Sequence, residues 1–142
     1  CDLRVAGESA KFAESFVKLG IIPGDGGAWL IQRIVGFSKA AELTLTGETI
    51  DATEALKIGV VNQVVPDGEL MEAARAFALR IACNPGFAVR MAKRLIWDAQ
   101  SMSIGQVLEM SAAMQAVAHA TKDNAEAVGA FLEKRKPVFK GD

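Results

Sequence analysis

An acidic side chain lies inside a glycine-rich turn near the start of the chain. The turn reads Ile22-Pro23-Gly24-Asp25-Gly26-Gly27 and separates two apolar runs. A turn of this kind that opens a helix presents unpaired backbone N–H groups and the positive end of the helix dipole, which suit a phosphate or a developing oxyanion. The Asp25 carboxylate could cap the helix by accepting from N–H groups near Gly27 or Ala28, or it could transfer protons. The turn matches neither a dinucleotide fingerprint nor a phosphate-binding loop, so the local sequence favours the cap.

Positive charges gather near the other end of the chain. Four cations lie within seven residues and close to two phenylalanines: Lys134, Arg135, Lys136 and Lys140, with Phe131 and Phe139. Such a group could bind an anionic ligand, or it could be a solvated helix end whose cations complement the helix dipole. These residues by themselves favour the solvated helix end.

The remaining reactive side chains have simpler interpretations. His119, the only histidine, lies within an apolar helix with no acid or serine in register, which favours a packed or interfacial side chain. Cys1 and Cys83 are too few for a disulfide framework and lack metal-ligand spacing. Cys83 is favoured as a small buried side chain, since no basic partner or helix start would lower its pKa. Trp29 either lines a ligand pocket or packs in the core.

Composition limits the classes of protein to consider. The chain has 142 residues, 51% of them hydrophobic, which is enough for one sizeable core or two small lobes. Its formal net charge of -1 provides no overall attraction to nucleic acid or to an anionic membrane. No apolar run approaches the ~20 residues needed to cross a bilayer. We therefore expect a soluble globular protein with neither nucleic acid nor a membrane as partner.

Cap and stop signals predict the elements that must position these residues. Leu3 and Val5 indicate a strand that ends at a turn over Gly7–Ser9, and residues 60–65 indicate another that Pro66 closes. Helix starts are predicted at Ser38, Asp51, Asp67, Ser103 and Asp123, with capping boxes at Asp51–Glu54, Ser103–Gln106 and Asp123–Glu126. Helix ends are predicted at Gly47, Gly59, Cys83 and Arg135. The C-terminal half is therefore expected to be helical.

Two features suggest that the chain is part of something larger. The predicted helix over residues 104–120 is apolar almost all round, so it must be buried on several sides, by further sequence or by a second subunit. The first residues alternate as a strand already in progress and do not begin with Met. We expect a fragment of a longer protein that forms oligomers.

Three stretches, taken in order, resemble the crotonase superfamily of enoyl-CoA hydratases and isomerases. They are FAESFVKLGIIPGDGGAWLIQRIVG, then AAELTLTGETIDATEALKIGVVNQVVP, then EAVGAFLEKRKPVFKGD, and together they cover essentially the whole chain. The resemblance implies a spiral of ββα units followed by a helical region that forms trimers, often paired into hexamers. It also implies that the chain is the C-terminal part, with both oxyanion-hole donors and one catalytic glutamate lying before Cys1.

The implied chemistry is proton transfer beside a coenzyme A (CoA) thioester. Two backbone N–H groups stabilise enolate charge on the thioester oxygen while carboxylates move protons at the neighbouring carbons. Hydratases of the family place a second glutamate four residues before the glycine of Leu-Gly, where this chain has Phe16. Glu14, two positions earlier, would lie about 6 to 7 Å away in an extended segment, too far for the same transfer. The resemblance therefore favours isomerase chemistry over ordinary hydration.

The resemblance also assigns site residues. Some isomerases of the family that lack this glutamate carry an aspartate in the following loop, one position before Asp25, which makes Asp25 the catalytic candidate. The implied acyl-binding residues are Phe16, Ile22, Pro23, Gly24 and Trp29. Lys134 matches a lysine used near the adenosine phosphate of CoA, and Lys136 is expected to contribute. No metal and no covalently bound cofactor are implied, and the acyl-CoA thioester is the substrate.

The sequence thus predicts an α+β, mostly helical fold in two parts. Residues 1–66 would form the end of the ββα spiral core, and residues 67–142 the helical region for oligomerisation and CoA contact. The intact enzyme is expected in the cytoplasm, or in the mitochondrial matrix of a eukaryote, and this chain by itself is expected to be inactive. The alternative is a non-catalytic helical oligomerisation or binding module. A small DNA-binding protein is disfavoured by the near-zero net charge.

Overall fold

The computed structural model describes residues 1–141 and is mostly helical, as the sequence predicts. The strands are β1 (Val5–Gly7), β2 (Lys11–Ala13), β3 (Thr49–Asp51) and β4 (Gln63–Val65). The α-helices are α1 (Gly27–Val35), α2 (Phe37–Thr46), α3 (Ala52–Lys57), α4 (Leu70–Ala82), α5 (Gly86–Asp98), α6 (Ile104–His119) and α7 (Lys122–Leu132). Two 3₁₀ helices cover Ser15–Leu19 and Asp67–Glu69.

The chain divides into two compact units, Cys1–Ala76 and Phe77–Asp142, and the division falls within α4. The predicted boundary after residue 66 lies earlier, before α4 begins. The functional division at that point stays a prediction.

Short strands in two separate pairs form the sheets of the first unit. β1 runs parallel to β4, with Val5 opposite Gln63, and β2 runs antiparallel to β3, with Phe12 opposite Ile50. The Ala10 N–H donates to the Gly7 carbonyl at 3.1 Å, which confirms the predicted turn. The two strands beside this turn join different sheets, because each pairs with a segment much later in the chain.

The core of the first unit is built from small side chains. Ala6, Ala55 and Val61 are buried together, with partly buried Phe12 and Ile50 packed against them. This cluster joins α3 to the strands on either side of it. The removal of these apolar side chains from water stabilises the contact between α3 and these strands.

Several predicted helix boundaries are confirmed. The α2 helix ends at Gly47, whose φ of 60° lies in the left-handed region and whose N–H donates to Leu43. Asp51 caps α3 by accepting from the Glu54 N–H at 2.8 Å, and Gly59 follows the end of that helix. Ser103 and Gln106 form the predicted capping box at the start of α6.

Four of the predicted starts and ends are wrong in detail. The α2 helix begins at Phe37, so Ser38 lies inside it. Asp67 does not cap α4; it accepts from the Ser9 N–H, because the chain first makes a 3₁₀ turn after Pro66. Thr121, and not Asp123, caps α7, and this helix ends at Leu132 instead of Arg135.

The second unit contains the end of α4 and three whole helices that pack in chain order, α5 on α6 and α6 on α7. Large apolar side chains of α6 remain exposed, with Ile104 at 74% and Leu108 at 62% of their full exposure. Cys83 is exposed too, so its predicted burial is wrong; its thiol donates to the Arg80 carbonyl at 3.2 Å. No helix in the described part of the chain has both the length and the apolar character to span a membrane.

Candidate functional site

The segment between β2 and the glycine-rich turn decides where Glu14 and Phe16 lie. Ser15–Leu19 forms a 3₁₀ helix that Gly20 ends in the left-handed region, with a φ of 71°. The extended geometry assumed for this segment is therefore wrong. Phe16 is half-buried and takes part in the hydrogen bonds that close the turn, since its carbonyl accepts from the Ile21 N–H at 3.2 Å. The distance argument that excluded Glu14 no longer applies.

Two carboxylates converge at the start of α1. A Cβ atom built on Gly27 would lie 2.9 Å from Asp25 Oδ1 and 3.0 Å from Glu14 Oε2. The two carboxylates are therefore within about 6 Å of each other, a distance at which like charges interact strongly. Gly27 is itself buried, and only a residue without a side chain leaves this space to both acids.

Asp25 accepts from the start of the helix, as the sequence predicts. Its Oδ1 atom takes the Gly27 N–H at 2.8 Å. The residue in the capping position is Gly26, in the left-handed region with a φ of 87°, so Asp25 bonds to the helix from one position further out. This bond satisfies one of the free N–H groups of the first turn and leaves Oδ2 for other partners. The catalytic role of Asp25 stays a prediction.

Glu14 has the more unusual environment of the two acids. Its Oε2 atom is buried and has no hydrogen-bond partner among the described residues. Loss of hydration raises the pKa of Glu14 above its ordinary value of 4.5, and the nearby Asp25 raises it further. A carboxyl group in this setting holds its proton more strongly than an exposed one and can serve as a proton donor.

Glu14 also lies on the wall of a cavity of about 360 Å³ in the first unit. The other lining residues are mostly apolar and come from β2, β3, α1, α2 and the segment after α3: Lys11, Phe12, Ala13, Ile31, Leu43, Ile50 and Val60. An apolar cavity with one carboxyl group on its wall is a common form of ligand site.

The residues assigned to acyl binding are not part of this lining. Ile22 and Gly24 are exposed and Pro23 is half-buried in the glycine-rich turn. Trp29 is 40% exposed, so it does not pack in the core, and the Arg33 guanidinium lies over its ring at 3.6 Å from the centroid. Together with Phe16, these residues keep their acyl-binding assignment as a prediction.

The cations near the C-terminal end lie on the surface of the second unit. Lys134 and Lys136 are both exposed and follow the end of α7. Arg135, between them, is bound instead to Glu126 and Glu133 through its guanidinium. His119 is exposed and its ring lies 3.2 Å from the Gln115 side chain, so it is not packed in the core of this unit. In the described chain, no group of His, Cys, Asp and Glu side chains is arranged to hold a metal ion.

Sequence reasoning missed Glu14 as a partner of Asp25. The available signal was Gly20, because a glycine that ends a turn of helix indicates that the preceding residues are helical and not extended. A helical turn shortens the chain path from Glu14 to the glycine-rich turn. The approach of the two acids nonetheless depends on how α1 is placed against β2, which no local pattern reports.

The chain belongs to the enoyl-CoA hydratase/isomerase family, whose sequence profile matches residues 1–142. It is 41% identical over 139 residues to a probable enoyl-CoA hydratase of Mycobacterium tuberculosis, covering 98% of this chain and 54% of that protein. It is 37% identical over 140 residues to 1,2-epoxyphenylacetyl-CoA isomerase of Escherichia coli, covering 99% of this chain and 53% of that protein.

Solved structures show the same fold. The crystal structure of an enoyl-CoA hydratase from Bacillus anthracis superposes with a TM-score of 0.96 at 40% identity, over 100% of this chain and 55% of that one. The fold is therefore the crotonase-like α/β fold. The chain spans about half the length of the relatives that it matches. Its assignment to their C-terminal part is not confirmed by these comparisons and stays a prediction.

Proposed function

We propose that the whole protein is an acyl-CoA isomerase that moves a proton beside the thioester carbonyl. The observation that carries this proposal is the convergence of Glu14 and Asp25 at the start of α1. The position of the second hydratase glutamate is occupied by Phe16, which cannot transfer a proton. The family supplies the substrate class, since its members act on CoA thioesters.

The two acids suit different halves of an isomerisation. A 3-enoyl-CoA becomes a 2-enoyl-CoA when a base takes a proton from C2, the electron pair moves through the dienolate, and an acid protonates C4. We assign the role of base to Asp25, whose Oδ1 atom accepts the Gly27 N–H at 2.8 Å. We assign the return of a proton to C4 to Glu14, because its raised pKa suits a proton donor. Proton exchange between the two carboxyl groups then restores the starting state.

The remaining parts of the enzyme are proposed from the resemblance. Two backbone N–H donors and a further glutamate are expected before Cys1, and they would stabilise the dienolate oxygen. This chain without them is expected to be inactive. Lys134 and Lys136 are proposed to contact the phosphates of CoA. A trimer or hexamer, and a cytoplasmic or mitochondrial location, are expected for the same reason.

Activity assays of the whole protein test the proposal. We expect faster conversion of 3-enoyl-CoA to 2-enoyl-CoA than hydration of 2-enoyl-CoA, and a loss of about 100-fold or more in kcat for Asp25→Asn and for Glu14→Gln. Glu48→Gln, which removes an exposed carboxylate from the same unit, is the matched control and should retain full activity. Isomerisation unchanged in both acid variants would show that the pair is not catalytic.

Hydration is the second candidate, because Glu14 and Asp25 are two carboxylates at one site, as hydration in this family requires. Several relatives at this level of identity are named as hydratases. The same assays separate the two functions: rapid addition of water to 2-enoyl-CoA, lost in either acid variant, would favour hydration and overturn the isomerase proposal.

A further inference from the structure

The residue after the end of α7 has an unusual backbone conformation. Lys134 has a φ of 54° and is the only residue other than glycine with a positive φ in the described chain. Its N–H donates to the Phe131 carbonyl at 3.2 Å, and the Arg135 N–H donates to the Ala130 carbonyl at 3.0 Å. This is the Schellman pattern of helix ends, in which glycine is the favoured residue at the left-handed position. A lysine there is disfavoured by its Cβ atom and needs outside support.

A fork of charged hydrogen bonds provides part of that support. The Arg135 guanidinium donates to both carboxylate oxygens of Glu126, at 2.5 and 2.9 Å, and to Glu133 at 2.6 Å. Glu126 Oε1 also accepts the Val138 N–H at 2.9 Å. Glu126 thus ties the residue after Lys134 and a residue further along to the side of α7, and paired bonds of this kind fix orientation as well as distance.

A second carboxylate holds the rest of the segment. Asp123, in the first turn of α7, is only 2% exposed, and it accepts the N–H groups of Lys140 and Gly141, each at 2.9 Å. A buried carboxylate is stable only when hydrogen bonds replace its lost hydration, and among the described residues Lys140 and Gly141 supply such bonds. Residues 133–141, hereafter the strap, are therefore fixed to α7 at both ends of the helix.

We propose that Asp123 and Glu126 are positioning residues, which hold the strap so that Lys134 is preorganised to bind a phosphate group of CoA. The inference rests on the proposed function, in which the protein takes CoA thioesters and Lys134 contacts their phosphates. In this role neither carboxylate needs to touch the ligand. They act by keeping Lys134 in a conformation that it would otherwise leave, which reduces the conformational freedom lost on binding.

Calorimetric titration of CoA into the whole protein tests the inference. We expect Lys134→Ala to weaken CoA binding about tenfold, and Asp123→Asn and Glu126→Gln to weaken it several-fold. In the double variant Asp123→Asn/Lys134→Ala the two losses of affinity should not add, because the Lys134 side chain contributes little to CoA binding once the strap is no longer held. Asp98→Asn, which removes a carboxylate bound to Arg94 on α5, is the matched control and should bind normally.

Two further measurements separate positioning from general stability. Hydrogen exchange at the Lys140 and Gly141 amides should accelerate in Asp123→Asn while exchange within α5 stays unchanged. Lys134→Gly should raise the melting temperature, because glycine suits the left-handed position, and yet weaken CoA binding. In kinetic assays the strap variants should raise KM and leave kcat near its original value.

The outcomes distinguish this inference from the proposed function. Normal CoA affinity in Asp123→Asn and Glu126→Gln, whether or not their strap amides exchange faster, would overturn the positioning role and leave the acyl-CoA function intact. Strap-dependent CoA binding without turnover of either enoyl-CoA would support the positioning role and overturn the catalytic proposal. A protein that does not bind CoA at all would overturn both.

Discussion

At the scale of single residues, the proposed chemistry depends on two acids with different surroundings. Asp25 is exposed and accepts a backbone N–H, whereas one oxygen of Glu14 is buried and unpaired among the described residues. Different environments are how two carboxyl groups in one site come to serve as base and acid. Two predictions follow from the atoms around them.

The first concerns the pH dependence of stability. Glu14 has a pKa of 4.5 in the unfolded chain and a higher pKa in the folded protein. The folded state therefore binds the Glu14 proton more tightly than the unfolded chain does. The resulting stabilisation of the folded state is fully present below the unfolded-state pKa of Glu14. It is lost as the pH rises through the folded-state pKa of Glu14. Urea unfolding at a series of pH values above 4.5 should show this loss of unfolding free energy in the native sequence and not in Glu14→Gln. Glu48→Gln should retain the native profile, and an identical profile in Glu14→Gln would contradict the shift.

The second concerns Gly27. Gly27→Ala would place a methyl group 2.9 Å from Asp25 Oδ1 and 3.0 Å from Glu14 Oε2, so the carboxylates must move. Both are ends of flexible side chains, and alanine favours a helix start over glycine, so we expect a change in unfolding free energy within about 1 kcal/mol but a large fall in turnover. Gly68→Ala is the control, since a Cβ there meets nothing within 4 Å. Undiminished turnover in Gly27→Ala would exclude a strict geometry for the pair.

At the scale of elements, capping side chains define where helices begin. The box at Ser103 is complete: its hydroxyl accepts from the Gln106 N–H, and the Gln106 side chain accepts from the Ser103 N–H at 2.9 Å. Local hydrogen bonds of this kind explain why α6 starts where the sequence predicts. By contrast, Asp123 resembles a cap in sequence, but Thr121 caps α7 and Asp123 binds the strap.

Removal of the α6 cap should therefore have a local cost. Ser103→Ala is expected to lower the free energy of unfolding by about 1 kcal/mol, because the Gln106 N–H loses the hydroxyl oxygen that accepts from it. Thermal or urea unfolding measures this. Ser101→Ala, just outside the helix, should cost less, since its hydroxyl donates to the Asp98 carbonyl at 3.2 Å and caps no helix start. Equal effects of the two substitutions would show that the box adds nothing to stability.

At the scale of the whole molecule, the main feature is the exposed apolar surface of α6, which neither unit covers. The exposed side chains of α6 are a surface of the kind that partner subunits cover. We expect the whole protein to form a trimer or hexamer in which α6 is buried. Leu108→Glu should then reduce the mass measured by light scattering, whereas Glu109→Gln, also exposed and on the same helix, should not. A native protein that is monomeric at micromolar concentration would contradict this expectation.

The sequence by itself determined the parts of this protein that depend on neighbours along the chain. The helix stop at Gly47, the cap at Asp51 and the box at Ser103 rest on hydrogen bonds between residues at most four positions apart. The order of three long motifs also determined the family, which the comparisons confirm. Local hydrogen bonds and the order of motifs can be predicted without knowing the path of the chain in three dimensions.

Only the tertiary structure decided which distant groups meet. Glu14 approaches Asp25 because a 3₁₀ helix, not a strand, connects β2 to the glycine-rich turn. Asp123 binds backbone groups 17 and 18 positions later, and so it cannot serve as the cap that its sequence context indicates. In both cases a carboxylate had more than one acceptable partner, and the path of the chain determined which of them lay within hydrogen-bonding or Coulombic reach.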